Sequence, residues 1–330
     1  MASHIGRRKF LATLGGAAPC PLAARAQQVN APVIGFLASG TPELNVSQLA
    51  AFRAGLKETG FVEFQNVTIE FRWAQAQHNR LPSLAADLVR HNLAVIVATG
   101  GNISALAAKA ATATIPIVFT MGDDPVRLGI VGSVDRPGGN LTGASFYSGS
   151  LGPKRLELLR ELVPNAQTIG FLIDPSNPES ERQVKDIRAA AITAGQQLVT
   201  LTAGTDNDIH AAYAQIVKQH TTALLVGSSP FLYQRMDRII ALAIRHAIPA
   251  CYFERQFVEA GGLMSYGARR SDAYYQAGIY AGKILKGERP ANLPIVFPTR
   301  FELVINLKIA KIIDLEVPPT LLARADEVIE

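Results

Sequence analysis

The chain has 330 residues, 48% of them apolar and 18% charged, with a formal net charge of +5. That balance excludes a disordered chain, and the length suits two domains better than a single core. A nucleic-acid binder is excluded too: Arg7, Arg8, Lys9 and Arg25 all stand in residues 1–26, which contain no acid, and the remainder carries only about +1, too little for a basic face.

Residues 1–26 have the parts of an export signal in order. RRKFL (Arg7 to Leu11) is a basic start with paired arginines, LATLGGAAPCPLAA is weakly apolar, and Ala24-Arg25-Ala26 is an A-x-A cleavage site. The segment resembles a twin-arginine signal, which carries folded protein across the bacterial inner membrane. An ordinary secretory signal or a disordered, tag-derived start is the alternative. Pro19 before Cys20 does not suit a lipoprotein signal, and cleavage leaves Cys251 as the one cysteine, so no internal disulfide is expected. No other apolar run reaches bilayer length. A soluble periplasmic protein is expected.

From residue 32, short apolar strands alternate with amphipathic helices. PVIGFLA is a buried strand, and SQLAAFRAGLKETG is a helix stopped by Gly60. NVTIEFRW alternates as a strand, and LPSLAADLVRHN is a helix. LAVIVATGG is a buried strand running into glycines, ISALAAKAAT is a helix, and IPIVFTMGD is a strand opening into a loop. The same series then recurs. TIGFLIDPSNPE matches VIGFLASGTPE, followed by the helix ESERQVKDIRAAAITAG, the strand QQLVTLTA and the helix DIHAAYAQIVKQH. The strand TTALLVGSSP, the helix LYQRMDRIIALAIRH and the strand IPACYFERQ complete it. Ile34-Gly35-Phe36-Leu37 returns as Ile169 to Leu172, 135 residues on, and Ile115-Pro116 returns as Ile248-Pro249, 133 on. A nearly constant offset over a whole βαβαβαβ series implies two doubly wound α/β lobes with parallel sheets. Residues 268–330 hold a helix ending at Gly287, a Pro-rich extended stretch and a strand running into a helix. They are too few for a third domain. The expected division is 31–147 plus 268–298 for the first lobe and 148–267 plus 299–330 for the second, with a hinge of several strands.

Ligands of open parallel sheets bind at the carboxyl ends of the strands. The candidate loops there hold Ser39, Gly40 and Thr41; Thr99, Gly100, Gly101, Asn102 and Ser104; Gly122 and Asp123; Asp174, Ser176 and Asn177; Ser228 and Ser229; and Glu254. In TGGNIS the two glycines let a ligand approach the backbone, and the following helix offers free N–H groups and its positive end. That arrangement suits a carboxylate or phosphate; a helix cap without ligand is the alternative. Asp123, Asp124, Asp174 and Glu254 are candidates for a ligand ammonium, with Asp174 or Glu254, on the second lobe opposite the anion site, the expected partner; otherwise they solvate and cap their loops. Tyr252 and Tyr266 are candidates for walling the cleft, while Trp73 suits packing at the lobe surface. The six histidines are scattered, and GxSxG, GxGxxG and Walker A patterns are missing, so neither metal, cofactor nor catalysis is expected.

ATIPIVFTMGDDPVRLGIVGSVDRPGGNLTG (113–143), ELVPNAQTIGFLIDPSNPES (161–180), LPIVFPTRFELVINLKIAK (293–311) and LLARADEVIE (321–330) resemble the TrpX-like substrate-binding proteins of ABC transporters. GDDPV has one Asp more than the family's usual Gly-Asp-Pro-Val. The resemblance spans essentially the whole chain after the signal. It implies a type I periplasmic-binding-protein fold, two lobes joined by three crossovers and closing on a ligand, and a small solute handed to a membrane permease; a monomer is expected. Some members resemble binders of aromatic amino acids. The expected ligand is an amino acid or similar carboxylate, aromatic in the narrower form. A sugar- or nucleoside-type ligand, or a sensory rather than transport role, is the alternative on the same fold. A cytoplasmic regulator would need a helix-turn-helix before residue 30, where there is no room.

Overall fold

The computed structural model describes Met1 and residues 31–330; apart from Met1, the export segment expected over 1–26 lies outside the described residues. All the elements belong to the unit Ala31–Glu330. Its first half runs β1 (Val33–Ala38), α1 (Val46–Glu58), β2 (Thr68–Trp73), α2 (Leu81–Val89), β3 (Val95–Thr99), α3 (Asn102–Ala111), β4 (Ile117–Met121) and β5 (Leu141–Ser145). The five strands form one parallel sheet in the order β2-β1-β3-β4-β5. Every residue of β3 and β4 is buried. Helices cover both faces of such a sheet, so its inner strands have no polar side, and their apolar runs are continuous rather than alternating.

The second half runs α4 (Gly152–Leu162), β6 (Thr168–Ile173), α5 (Ser180–Thr193), β7 (Gln197–Thr202), α6 (Asp206–Lys218), β8 (Ala223–Val226), α7 (Pro230–Gln234), α8 (Met236–Arg245), β9 (Ala250–Tyr252), α9 (Arg255–Glu259) and β10 (Met264–Gly267). The order β7-β6-β8-β9-β10 repeats the first sheet strand for strand. Register repeats as well: Ile34 stands beside Ile69 and Val95, and its counterpart Ile169 beside Leu198 and Ala223. The repeat in the sequence is therefore a repeat of architecture: two α/β lobes with parallel sheets.

The last segment contains α10 (Arg270–Leu285), β11 (Glu302–Asn306), α11 (Leu307–Ile312), α12 (Pro319–Leu322) and β12 (Glu327–Ile329). β11 joins the second sheet antiparallel to β10, with β12 outside it. α10 instead lies against α1 and the first sheet. Glycines allow the approach: a Cβ on Gly55 would stand 2.0 Å from the carbonyl oxygen of Tyr275, and one on Gly278 2.1 Å from that of Phe52. Between α10 and β11 the Pro-rich stretch runs along β5, where Val296 bridges Ala144. The chain thus passes between the lobes three times, after β5, after β10 and before β11.

One expected helix is divided. LYQRMDRIIALAIRH forms α7 and α8, which meet at Arg235 (φ −111°, ψ 17°). Phe231, Leu232 and Tyr233 are all buried, as are Met236, Ile239 and Ile240. A run of apolar residues that dense cannot occupy one face of a continuous helix, and the break turns both sets inward.

Candidate functional site

The carboxyl ends of the two sheets face each other around a cavity of about 20 Å³. From the first lobe it is lined by Gly100, Gly101, Asn102, Gly122 and Asp123, and from the second by Asn177, Ser228, Ser229 and Glu254. Each of these stood among the sequence candidates. Phe146, Pro230, Tyr233, Phe253 and Arg270 complete the lining.

Gly100 and Gly101 leave β3 at φ of 86° and 121°, a backbone that costs glycine little. A Cβ on Gly101 would lie 2.7 Å from Pro230 Cγ, so the glycine also lets the lobes meet. Gly101 is the N-cap of α3 and supplies no side-chain cap. Asn102 Oδ1 accepts the Ile103 N–H at 3.0 Å, and Asn102 Nδ2 donates to Asp123 Oδ2 at 3.4 Å. Ser39 Oγ donates to the Gly100 carbonyl at 2.7 Å and holds the loop from beneath.

In the second lobe, Asn177 Nδ2 and Gln183 Nε2 both donate to the Ser228 carbonyl at 2.9 Å, and the Ser228 N–H donates to Gln183 Oε1 at 2.9 Å. The loop after β8 is thereby fixed in every direction. Ser229 Oγ caps α7 by accepting the Leu232 N–H at 3.0 Å.

The charges in the cavity wall are buried. Arg270, at the first position of α10, is 5% exposed; its guanidinium carbon lies 4.4 Å from the Tyr233 ring centroid and 5.3 Å from that of Phe146. Its Nη1 donates to Glu254 Oε2 at 3.5 Å, while its Nε has no hydrogen-bond partner. Burial raises the Glu254 carboxyl above its ordinary value, against the pull of Arg270. Burial, with Glu179 nearby, pushes Asp123 up to about 7 although Arg182 and Arg127 oppose it. Buried charges of both signs set among aromatic rings can hold a small zwitterion and discriminate strongly between charge patterns.

The remaining candidates do not reach the cavity. Asp174 is buried, but its Oδ1 accepts the Ser176 N–H and hydroxyl at 2.9 and 2.6 Å, so this pair builds a turn. The Thr41 carbonyl accepts from Asn45, and Gly40 sits against the same side chain. Thr99 and Ser104 are buried within β3 and α3. Tyr252 stacks on Phe257 at 4.7 Å inside the second lobe's core, and Tyr266 packs against Phe301. Side chains alternate along a strand; with Tyr252 turned into the core, its neighbour Phe253 borders the cavity instead. Trp73 stacks beside Phe71 on the first lobe. The one sequence signal at Arg270 is a cation in the first turn of a helix, where the dipole disfavours it.

The lobes are in contact. Arg127 Nη2 of the first lobe donates to Glu179 Oε2 of the second at 2.8 Å. Tyr233 OH donates to the Leu44 carbonyl at 3.4 Å, and Gln234 Nε2 to that of Ser39 at 3.4 Å. Two lobes of one strand order, three passages between them and a cavity at the carboxyl ends of both sheets define the type I periplasmic-binding-protein fold. The chain belongs to the family of ABC transporter substrate-binding proteins, whose model matches residues 45–329. An extracytoplasmic location and a membrane permease as partner accord with that membership.

The chain is 29% identical over 275 residues to a tyrosine-binding protein of Clostridioides difficile (strain R20291), covering 83% of this chain and 78% of the other. A crystal structure from Streptococcus pneumonia, described as an ABC domain in complex with L-Trp, is 26% identical, with 90% of this chain and 100% of that one covered and a TM-score of 0.80. The ligand-free, open structure of a substrate-binding protein with adhesive properties from Clostridium difficile is 28% identical, covering 90% and 99%, with a TM-score of 0.66. At similar identity the chain superposes better on the L-Trp complex than on the ligand-free, open structure.

Proposed function

We propose that this substrate-binding protein captures an amino acid with an aromatic side chain for an ABC importer, by closing its two lobes on the ligand. The observation that carries the proposal is a cavity whose largely buried wall holds Arg270 and the start of α3 for a carboxylate, Asp123 and Glu254 for an ammonium, and Phe146, Tyr233 and Phe253 for an apolar ring. At about 20 Å³ the cavity has room for roughly one water molecule, so in this reading the lobes part to admit the ligand and close again around it. A tyrosine-binding relative and an L-Trp-bound structure support the same ligand class and the TrpX-like likeness. The moving bodies in this proposal are 31–147 with 268–298, and 148–267 with 299–330. The protein reaches the periplasm through the signal at 1–26 and acts there as a monomer.

Titration calorimetry with the twenty amino acids, aromatic acids, common sugars and nucleosides tests the ligand class. Tight binding by L-tyrosine, L-tryptophan or L-phenylalanine is the expected result. Binding by a sugar or nucleoside with none by any amino acid overturns the ligand assignment.

A further inference from the structure

Two neighbouring acids after β4 do different work. Asp124 Oδ1 accepts the N–H groups of Val126 and Arg127 at 2.9 and 3.2 Å, which sets the turn. Asp123 takes no part in that turn. It is 6% exposed, lines the cavity, and its Oδ1 has no hydrogen-bond partner. The cation facing that oxygen is Arg182 of the second lobe, with Nη2 3.8 Å away and also without a hydrogen-bond partner. Arg182 is engaged elsewhere, through Nε with Glu179 at 2.5 Å and Nη1 with Asp186 at 2.6 Å. Glu179 in turn accepts from Arg127 of the first lobe. Two residues from each lobe thus form a chain of alternating charge that starts in the cavity wall and ends at the seam between the lobes. Glu254, the other acid in the wall, already has Arg270 as partner. Asp123 is the acid left with an oxygen to satisfy, and a buried, unmatched carboxylate is costly.

Building on the amino-acid ligand proposed for this cavity, we propose that Asp123 selects for a protonated amine on the ligand and couples its capture to lobe closure, sharing its carboxylate between the ligand ammonium and Arg182. An amine satisfies the free oxygen. A ligand without one leaves that oxygen with only the 3.8 Å ion pair to Arg182 and no hydrogen bond, so the same lobe contact closes over an under-satisfied carboxylate. The contact between Arg127 and Glu179 holds the closed seam and does not read the ligand.

The test is a cycle of protein and ligand changes followed by calorimetry. L-Tyrosine is compared with 3-(4-hydroxyphenyl)propanoate, and L-tryptophan with 3-indolepropanoate, on the wild type, Asp123→Asn and Arg127→Met. In the wild type, loss of the amine weakens binding roughly 100-fold, the scale of leaving one partner of a buried charge pair unpaired. In Asp123→Asn that ratio shrinks to a few-fold. In Arg127→Met both ligands of a pair bind more weakly and the ratio persists. Asp123→Ser repeats the measurement should the Asn variant misfold. An amine ratio equal in Asp123→Asn and wild type overturns the proposal while leaving amino-acid binding intact. A ratio that collapses in Arg127→Met shows the seam pair reading the ligand, and overturns it as well. No binding by either amino acid removes the ligand class and the role of Asp123 together.

Discussion

Asp123 holds its proton more tightly in the folded protein than in the unfolded chain, whose Asp titrates near 3.8, because burial and Glu179 raise it to about 7. Arg182 and Arg127 pull the other way, and Asp124 adds slightly to the rise. The sign follows by linkage: the contribution of this group to the stability of the ligand-free protein is complete below pH ~4 and is lost as pH rises through ~7. The melting temperature of the wild type should therefore fall relative to that of Asp123→Asn between pH 5 and 7.5. A constant gap would mean that the carboxyl is solvated. An ammonium ligand reverses the dependence, since it needs the carboxylate: affinity should climb towards pH 7, by up to about tenfold per unit, and stay flat in Asp123→Asn. Much of this site was legible at the residue scale. Gly100 to Asn102 and Gly122-Asp123 could be placed because each follows a buried strand in a parallel sheet. Arg270 and Phe146 could not, because they come from α10 and from the turn after β5. Only the folded chain brings those segments to the cavity.

At the scale of elements, the seam between α1 and α10 holds the returning segment on the first lobe. Gly55 and Gly278 face backbone carbonyls at 2.0 and 2.1 Å from a hypothetical Cβ, and a backbone oxygen cannot swing aside as a side chain can. Gly278→Ala should destabilise the protein by about 1–3 kcal/mol, read from the midpoint of urea unfolding. An unchanged midpoint would mean that the helices slide apart without cost. The βα series, the helix-ending glycines Gly60, Gly195 and Gly287, all at positive φ, and the Pro-rich stretch are visible in the sequence because period and backbone chemistry are local. The division into α7 and α8 is not. Its cause is which side chains the sheet and the cavity claim, and both helices share one apolar run.

For the molecule as a whole, the proposed function depends on closure, and Gly101 stands at a point of contact between the lobes. Gly101→Ala puts a Cβ 2.7 Å from Pro230 Cγ of the other lobe, at a φ of 121° that alanine tolerates poorly. A penalty of about 1–2 kcal/mol on the closed form weakens ligand binding about tenfold. Small-angle scattering should show the variant more extended than the wild type at equal ligand. Equal affinity and equal radius would mean that the lobes do not close this tightly.

The sequence by itself determined that there are two lobes, that they share one strand order and that their unlike loops lie at the carboxyl ends of the strands. Those properties follow from repeated apolar periodicity and from glycine and proline, which act within a few residues. Tertiary structure decided which loop residues enter the cavity: Tyr252 or Phe253, Asp123 or Asp124, Asp174 or Glu254. Each choice turns on the direction of one side chain, and that direction is set by neighbours from elements far away in the chain. The pairing of Arg127 with Glu179 and the free oxygen of Asp123 belong to this second class. They exist only where two lobes, alike in plan and different in their loops, come together.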